Sequence, residues 1–234
     1  MKTLVIGASG GIGAAMVLQL ASDPNADVIA TGRRALPAID APNIRCEQVD
    51  AGDETSVAKL FESIDALDRV ILASGFLHNS ERGPEKTIRQ IDAAFFMQNM
   101  INNTLPALLV AKHSFRLLRK SPAPVFAALS ARVGSIGDNG IGGWYSYRAS
   151  KAALNMALKT LSVEWQRVIP TGTVLALHPG TVDTALSEPF QRGVAPEKLF
   201  EPAFSAAKLL AIIVAATPEQ SGQFIAWDGQ RIPW

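Results

Sequence analysis

The chain has 234 residues, 48% of them hydrophobic, and this length suits one well-buried α/β domain better than two. Its 22 basic and 21 acidic side chains give a net charge of +1, so we expect neither nucleic acid nor a membrane surface as a partner. The single cysteine, Cys46, excludes an internal disulfide and a thiolate metal site. No run reaches the roughly 18 apolar residues of a membrane span, and the opening apolar run is too short for a signal peptide. These features predict a cytoplasmic protein.

Short apolar runs alternate with longer helical patterns along the whole chain. The apolar runs predict strands at residues 3–7, 27–31, 44–49, 69–73, 125–129, 172–177 and 223–227. The helical patterns lie at residues 12–21, 54–64, 85–120, 145–168 and 202–216, and we expect two helices within 85–120. This alternation predicts a single doubly wound α/β domain over residues 1–234, with a seven-stranded parallel sheet and helices on both faces. Ligand sites are then expected at the carboxyl ends of the strands.

A glycine-rich turn, Gly7-Ala8-Ser9-Gly10-Gly11-Ile12-Gly13, joins the first strand to the first helix. Such a Rossmann-type turn brings backbone N–H groups and the positive end of a helix dipole to a dinucleotide pyrophosphate. The spacing is Gly-x-x-x-Gly-x-Gly and differs from the general Gly-x-Gly-x-x-Gly fingerprint. The predicted cofactor contacts in this turn are Gly7, Ser9, Gly10, Gly11, Ile12 and Gly13. A purely structural turn is the alternative.

The end of the second strand predicts which dinucleotide is bound. An acid at this place accepts the ribose 2′-hydroxyl of NAD, but here the chain has Arg33 and Arg34. Because guanidinium groups pair with phosphate, we expect NADP(H); a solvated arginine pair is the alternative. Asp50, after the third strand, suits either the adenine amino group or a cap for the helix near Glu54. The small residues of the run Ala73-Ser74-Gly75, after the fourth strand, suit a close pass along the cofactor.

Tyr147 and Lys151 stand four residues apart on a predicted helix and therefore lie on one face of it. A phenol with a pKa of about 10 is a poor proton shuttle near neutral pH. A neighbouring ammonium favours the phenolate, so we expect Lys151 to lower the pKa of Tyr147. Chance placement of the two residue types on a helix is the alternative.

The order of these features resembles the short-chain dehydrogenase/reductase family over essentially the whole chain. The run Gly142-Gly143-Trp144-Tyr145-Ser146-Tyr147-Arg148-Ala149-Ser150-Lys151 looks most like the branch of C-factor-like and sniffer-type carbonyl reductases. The resemblance implies an oxidoreductase that transfers a hydride between NADP(H) and a small carbonyl or alcohol substrate. It also implies a catalytic tetrad of Asn, Ser, Tyr and Lys, in which Tyr147 moves the proton and Lys151 also reaches the nicotinamide ribose.

The two other members of the implied tetrad are an asparagine and a serine. Asn102 fits the family's asparagine because a proline follows four residues later, and the adjacent Asn103 leaves the register open. The family's catalytic serine falls at Ala131, which has no hydroxyl. We predict that Ser130 takes its place, with Ser135 or no serine as the alternatives.

The segment after the sixth strand matches a family pattern that holds the nicotinamide carboxamide. The predicted cofactor contacts here are Pro179, Gly180, Val182 and Thr184. A rigid turn that closes the strand is the alternative. His178 is expected to be structural, and no metal site is predicted, because His78 and His113 lack ligand spacing.

Residues 184–201 form the one long irregular segment, and we predict a lid over the substrate there. The candidate substrate wall is Phe76, Leu77, Trp144, Leu186, Pro189 and Phe190, which suggests an apolar ketone, aldehyde or quinone.

Apolar positions spread around helix 145–168 predict a second covered face, and with the resemblance this implies a homodimer or homotetramer. The competing function is a signalling or redox-sensing NADP-binding protein with weak or no catalysis. The tail 227–234 either reaches a neighbour or closes the pocket.

Overall fold

A computed structural model describes residues 1–36 and 41–234. Its strands are β1 (Lys2–Ile6), β2 (Asp27–Gly32), β3 (Ile44–Gln48), β4 (Arg69–Leu72), β5 (Val125–Leu129), β6 (Thr173–His178), β7 (Thr181–Val182), β8 (Leu199–Phe200) and β9 (Gln223–Ala226). Its helices are α1 (Gly11–Ala21), α2 (Glu54–Glu62), α3 (Ala93–Asn103), α4 (Leu105–Leu118), α5 (Tyr145–Val168) and α6 (Pro202–Val214).

Seven of these strands form one parallel sheet in the order β3-β2-β1-β4-β5-β6-β9. The order reverses between β1 and β4, which places the glycine turn and the segment after β4 side by side at the carboxyl edge. A crevice at such a switch point is where ligands bind in open α/β sheets. The predicted single domain with a doubly wound sheet is therefore confirmed.

Side chains alternate between two apolar cores along the central strands. In β5, Phe126 and Ala128 pack on one face of the sheet with Trp165 of α5. Val125 and Ala127 pack on the other face with residues of α1 and α6, such as Met16. Burial on both faces explains why these strands are continuous apolar runs.

The predicted helical stretch 85–120 differs from the structure in its first part. Residues 73–92 are irregular apart from one short helical turn, Ile88–Gln90, and α3 begins only after Asp92. The Asp92 carboxylate accepts the Phe95 N–H at 2.8 Å and so caps α3. The helix breaks at Thr104, whose hydroxyl donates to the Ser150 carbonyl of α5 at 2.8 Å. Two helices follow, as expected, but over 93–118.

The segment 184–201 is more ordered than an irregular loop. It contains two short helical turns, and its base is closed by the parallel pair β7–β8.

Within the described residues, no helix has both the length and the apolar character needed to cross a membrane. The C-terminal tail folds back on its own chain, because the Pro233 and Trp234 carbonyls accept the Ser135 hydroxyl and the Gly137 N–H.

Candidate functional site

The turn between β1 and α1 is closely packed and requires glycine at two positions. Gly7 has a φ of +88°, and a Cβ there would lie 2.7 Å from the Ser74 nitrogen. A Cβ on Gly13 would lie 2.3 Å from the Gly7 carbonyl oxygen. The N-cap of α1 is Gly10, and no side chain accepts from the first turn of this helix. The N–H groups and the positive dipole end at Gly11 therefore suit an anionic ligand such as a pyrophosphate.

A cleft of about 310 Å³ lies along the carboxyl edge of the sheet above this turn. The predicted cofactor residues that line it are Gly7, Ser9, Gly10, Gly11, Ile12, Arg33, Asp50, Ala73, Ser74, Gly75 and Thr184. Those that do not line it are Gly13, Arg34, Tyr147, Lys151, Pro179, Gly180 and Val182. Gly13 packs behind the turn, and the last three belong to a second cleft.

The two arginines after β2 have different positions. Arg33 is exposed and lines the cleft, whereas Arg34 is exposed but lies outside the cleft wall. The Arg33 guanidinium donates to Asn102 Oδ1 at 3.4 Å, and the Arg33 carbonyl accepts from Gln48 Nε2 at 3.1 Å. A cation held at this end of the cleft is placed to meet an added phosphate.

Asp50 lines the cleft and does not cap the next helix. Its Oδ1 accepts the Gly52 N–H at 2.9 Å, within its own turn. The cap of α2 is Asp53, whose Oδ1 accepts the N–H groups of Thr55 and Ser56. Of the two roles considered for Asp50, the helix cap is therefore excluded.

The structure brings Asn103, and not Asn102, next to the predicted proton-transfer pair. The Asn103 side chain is buried and bridges the Phe76 backbone, accepting from its N–H at 2.7 Å and donating to its carbonyl at 2.8 Å. It also donates to the Ser150 hydroxyl at 2.9 Å. Asn102 is half-buried and lines the first cleft instead, and its Nδ2 donates to the Gln98 carbonyl at 2.7 Å.

The geometry favours Asn103 over Asn102, because consecutive helical residues face directions about 100° apart and Asn103 contacts Ser150 of α5. The signal that finds Asn103 is its spacing from Phe95 and Asn99. These three residues, four apart, form the buried stripe of α3.

Tyr147 and Lys151 lie together inside the protein, one turn apart on α5. Tyr147 is 7% exposed and Lys151 is 2% exposed. The Lys151 Nζ lies 5.8 Å from the centroid of the Tyr147 ring and donates to the Leu129 carbonyl at 2.9 Å. A Cβ on Gly75 would lie 3.8 Å from this Nζ and 3.8 Å from Asn103 Oδ1, so both groups lie close to Gly75 in the wall of the first cleft.

Burial dominates the acid–base properties of this pair. It raises the pKa of the Tyr147 phenol above its ordinary value of 10. Burial also lowers the pKa of the Lys151 ammonium from 10.5 to about 8. The expectation that Lys151 lowers the pKa of Tyr147 is therefore opposite to the net effect, because loss of water disfavours both charged forms.

Neither candidate serine offers a free hydroxyl proton to a substrate. Ser130 lines the second cleft, but its Oγ donates to Asn155 Oδ1 at 2.6 Å. Ser135 is buried and donates to the carbonyl of Pro233 in the C-terminal tail. Ala131 also lines the second cleft, so a hydroxyl is missing at the position where the family pattern has one.

The second cleft, of about 420 Å³, adjoins the first one and is walled mainly by apolar side chains. Ile12, Thr184 and Leu186 line both clefts. Of the predicted substrate wall, Leu77, Trp144, Leu186 and Phe190 line the second cleft, and Phe76 and Pro189 do not. Further lining side chains that the sequence did not suggest are Ile141, Val194, Arg132 and Arg148. Tyr147 also lines this cleft, so an apolar pocket here contains a phenol that can exchange a proton with a ligand.

His178 lies in the wall of the second cleft as a neutral imidazole. Burial, with a smaller effect from the Arg132 guanidinium, lowers its pKa to about 4. Its Nδ1 accepts the Arg132 N–H at 3.3 Å. Across residues 1–36 and 41–234, no three His, Cys, Asp or Glu side chains are grouped as a metal site would require.

The sheet, the glycine turn and the two joined clefts define a doubly wound Rossmann-type α/β protein. The chain belongs to the short-chain dehydrogenase family, since residues 2–194 match the sequence pattern described as short chain dehydrogenase. It is 35% identical over 236 residues to 1-hydroxy-2-glutathionyl-2-methyl-3-butene dehydrogenase of Rhodococcus sp. (strain AD45), covering 99% of this chain and 98% of that protein. It is 34% identical over 145 residues to C-signal of Myxococcus xanthus, covering 62% of this chain and 81% of that protein.

Solved structures share the same fold at lower identity. The carbonyl reductase Sniffer of D. melanogaster superposes with a TM-score of 0.86 at 24% identity, over 100% of this chain and 99% of that one. An NADPH-bound carbonyl reductase from chicken fatty liver gives a TM-score of 0.86 at 24% identity, over 100% and 94% of the two chains. The match of residues 2–194 and the similarity to the Rhodococcus dehydrogenase confirm the family resemblance predicted from the sequence.

Proposed function

We propose that this protein is an NADP(H)-dependent oxidoreductase that reduces a small carbonyl compound, with Tyr147 as the proton donor. The observation that carries the proposal is the burial of Tyr147 and Lys151 together, with Tyr147 in the wall of the second cleft and the Lys151 Nζ close to Gly75 of the first. A buried phenol beside an ammonium, at the wall of an apolar pocket, is a costly arrangement for a purely structural pair.

The residues of the first cleft fit an NADP molecule. The glycine turn leaves no room for side chains at Gly7 and Gly13 and offers the start of α1 to a pyrophosphate. Arg33 is the group we assign to the 2′-phosphate, and Asp50 is the one we assign to the adenine end. The NADPH named for the chicken carbonyl reductase agrees with this assignment.

The remaining predicted cofactor contacts border the second cleft, beside the nicotinamide end. Pro179, Gly180 and Val182 line that cleft, and we assign their backbone to the carboxamide. Thr184 lines both clefts and so lies at their junction.

The bound cofactor supplies the hydride, and the chain supplies the proton and the orientation. Because burial raises the pKa of Tyr147, its phenol is protonated at neutral pH and can donate to a carbonyl oxygen. Lys151 keeps most of its charge at pH 7 with a pKa of about 8, so it can stabilise the phenolate that the transfer leaves. Asn103 fixes the Phe76 backbone and Ser150 around this pair, and we assign it the asparagine role. These electrostatics favour carbonyl reduction over alcohol oxidation.

The substrate oxygen is held mainly by Tyr147 in this proposal. Ser130 would first have to release Asn155 before it could donate to a substrate, and Ala131 has no hydroxyl. We therefore assign Ser130 a supporting role: it ties the end of β5 to α5. Because Ala131 offers no hydroxyl donor, we expect a lower kcat than that of an enzyme with a serine at this position.

The substrate class that suits the second cleft is an apolar ketone, aldehyde or quinone. Its wall carries the aromatic rings of Trp144 and Phe190, whose centroids are 5.1 Å apart. Phe190 belongs to the segment 184–201, which we propose as a lid. The lid also contacts the segment after β4, since His78 Nε2 is 3.3 Å from the Ala185 carbonyl and the His78 ring meets Phe190 edge-on.

Steady-state oxidation of NADPH with a panel of ketones, aldehydes and quinones tests this function directly. We expect turnover with at least one apolar carbonyl, and a higher kcat/KM with NADPH than with NADH. NADPH binding in a fluorescence titration, without turnover on any member of the panel, would favour the second candidate. That candidate is an NADP-binding signalling protein, supported by the alanine at 131 and by the similarity to C-signal.

Assembly into a dimer or tetramer, like a cytoplasmic location, stays a prediction. On α5, Leu154, Leu158 and Trp165 are buried in this chain, whereas Met156 is 68% exposed. Leu108 of α4 is also exposed. Light scattering during size-exclusion chromatography tests the assembly, and Met156→Glu should shift a dimer towards the monomer if this face is the interface.

A further inference from the structure

The catalytic helix α5 begins in an unusual conformation. Gly142, Gly143 and Trp144 have φ values of +71°, +66° and +54° in succession. Trp144 is the only non-glycine residue with positive φ in the described parts of the chain, and its side chain does not cap the helix. A bulky residue in the left-handed region is strained, so contacts from elsewhere must hold this turn.

Glu85, from the irregular segment before α3, supplies these contacts. Its side chain is 4% exposed, and its Oε2 accepts the Ser146 N–H at 3.1 Å. Its Oε1 accepts the Ser146 hydroxyl, and its backbone carbonyl accepts the Trp144 N–H at 2.5 Å. One residue therefore satisfies two backbone donors at the start of α5, which no α-helix satisfies internally.

The Glu85 carboxylate has its hydrogen-bond partners at the start of α5. No lysine, arginine or histidine of residues 1–36 and 41–234 forms an ion pair with it. A buried carboxylate without a cation is costly unless hydrogen bonds and a dipole compensate for the lost water. The N-terminus of the 24-residue helix α5 provides both.

The residues that Glu85 holds flank Tyr147 in sequence and in space. Ser146 directly precedes Tyr147, and the Trp144 ring meets the Tyr147 ring edge-on with centroids 6.1 Å apart. From the other side, the Arg148 guanidinium donates to the carbonyls of Gly142, Gly143 and Val133. A shift of this first turn would therefore move both the phenol and a wall of the second cleft.

We infer that Glu85 is the positioning residue of Tyr147: its buried carboxylate fixes the first turn of α5, and with it the phenol and the Trp144 wall. The kinetic part of this inference rests on the proposed function. The anchoring of α5 does not, and it has a readout without turnover.

The test compares Glu85→Ala with Asp68→Ala as a matched control. Asp68 also accepts one backbone N–H, from Lys2 at 2.9 Å, and one serine hydroxyl, from Ser121 at 2.7 Å. It precedes β4 at the opposite edge of the sheet, so its loss weakens the fold without touching the site. Hydrogen exchange of residues 144–148, kcat with the best carbonyl substrate and NADPH affinity are measured for each variant.

For Glu85→Ala we expect exchange at 144–148 to rise by about tenfold or more, because the Ser146 N–H loses its acceptor. We expect kcat to fall by about tenfold or more, because small displacements of a reacting group are costly, while the NADPH Kd changes less than about twofold. Glu85→Gln keeps a carbonyl acceptor and should recover most of both losses. Asp68→Ala should lower the unfolding midpoint and leave kcat and the exchange of 144–148 at wild-type values.

Wild-type exchange at 144–148 in Glu85→Ala would overturn the anchoring. Faster exchange with unchanged kcat would overturn the positioning role. If the wild type turns over no carbonyl, the proposed function fails, and exchange alone then decides the anchoring. If Glu85→Ala does not fold, Ser146→Ala replaces it: faster exchange and lower kcat support the inference, and wild-type values overturn it.

Discussion

Replacing Lys151 with methionine should stabilise the protein while abolishing its turnover. Burial lowers the pKa of Lys151 from 10.5 to about 8, and the side chain is almost fully enclosed. At about 1.36 kcal/mol per pH unit, keeping this ammonium charged in the folded state costs about 3 kcal/mol at pH 7. Methionine removes that cost but leaves the Leu129 carbonyl without its donor, a loss of about 1–2 kcal/mol. The net gain should be about 1–2 kcal/mol, or a few degrees in Tm.

The pH dependence of this gain in stability distinguishes an effect of the Lys151 charge from an effect of side-chain packing. The folded-state pKa of Lys151 is below its unfolded value, so between about pH 8 and 10.5 the unfolded chain binds the proton more tightly. Wild-type stability therefore gains from this group as pH rises through that window, whereas the methionine variant has no such proton. The advantage of Lys151→Met should shrink by about 2 kcal/mol between pH 7 and pH 9.5.

Urea unfolding followed by circular dichroism measures this difference across the pH range. Lys120→Met removes an exposed lysine at the end of α4 and should follow the wild-type pH dependence. A gap between Lys151→Met and wild type that stays constant or widens with pH would refute the reasoning, because burial of the charge would then not be its origin.

Three further predictions concern the cofactor and the substrate oxygen. Arg33→Asp should lower the ratio of kcat/KM for NADPH to that for NADH by about 100-fold, because a carboxylate repels the phosphate that Arg33 would bind; an unchanged ratio contradicts the assignment. Asn103→Ala should reduce kcat by about tenfold or more by freeing the Phe76 backbone, whereas Asn102→Ala should affect mainly the KM for NADPH. Equal losses of kcat in the two variants would favour Asn102 as the asparagine of the tetrad. Ala131→Ser should raise kcat/KM by up to about tenfold by adding a donor for the substrate oxygen, and Ser130→Ala should lower it by less than about tenfold; the opposite order would make Ser130 the working serine.

The sheet could be predicted from the sequence because its strands are buried on both faces. Each strand of the main sheet was expected within about two residues of its position, and the bounds of α5 match. The prediction of a helix over residues 85–92 was wrong. The hydrophobic spacing of this segment resembles a helix, but its conformation depends on distant partners, such as Ser146 for Glu85.

The candidate site was predicted where chemistry and spacing coincide, as for Tyr147 with Lys151 and for the glycine turn. The assignment from sequence failed where it depended on which face of a helix a residue occupies or on how deeply a side chain is buried. Asn102 and Asn103 are identical in type, and only the packing of α3 selects between them. The pKa direction of Tyr147 depends on how much water surrounds the phenol, which no spacing of residues records.

The central claim is that Tyr147 delivers the proton, and one comparison of two phenols tests it most directly. Tyr147→Phe removes the buried hydroxyl, and Tyr145→Phe removes an exposed hydroxyl of the same helix. Both variants are assayed for carbonyl-dependent NADPH oxidation and for NADPH binding. We expect Tyr147→Phe to lose turnover by a factor of about 10² to 10⁴ with NADPH affinity retained, and Tyr145→Phe to behave as wild type. Turnover of Tyr147→Phe within about threefold of wild type would contradict the account.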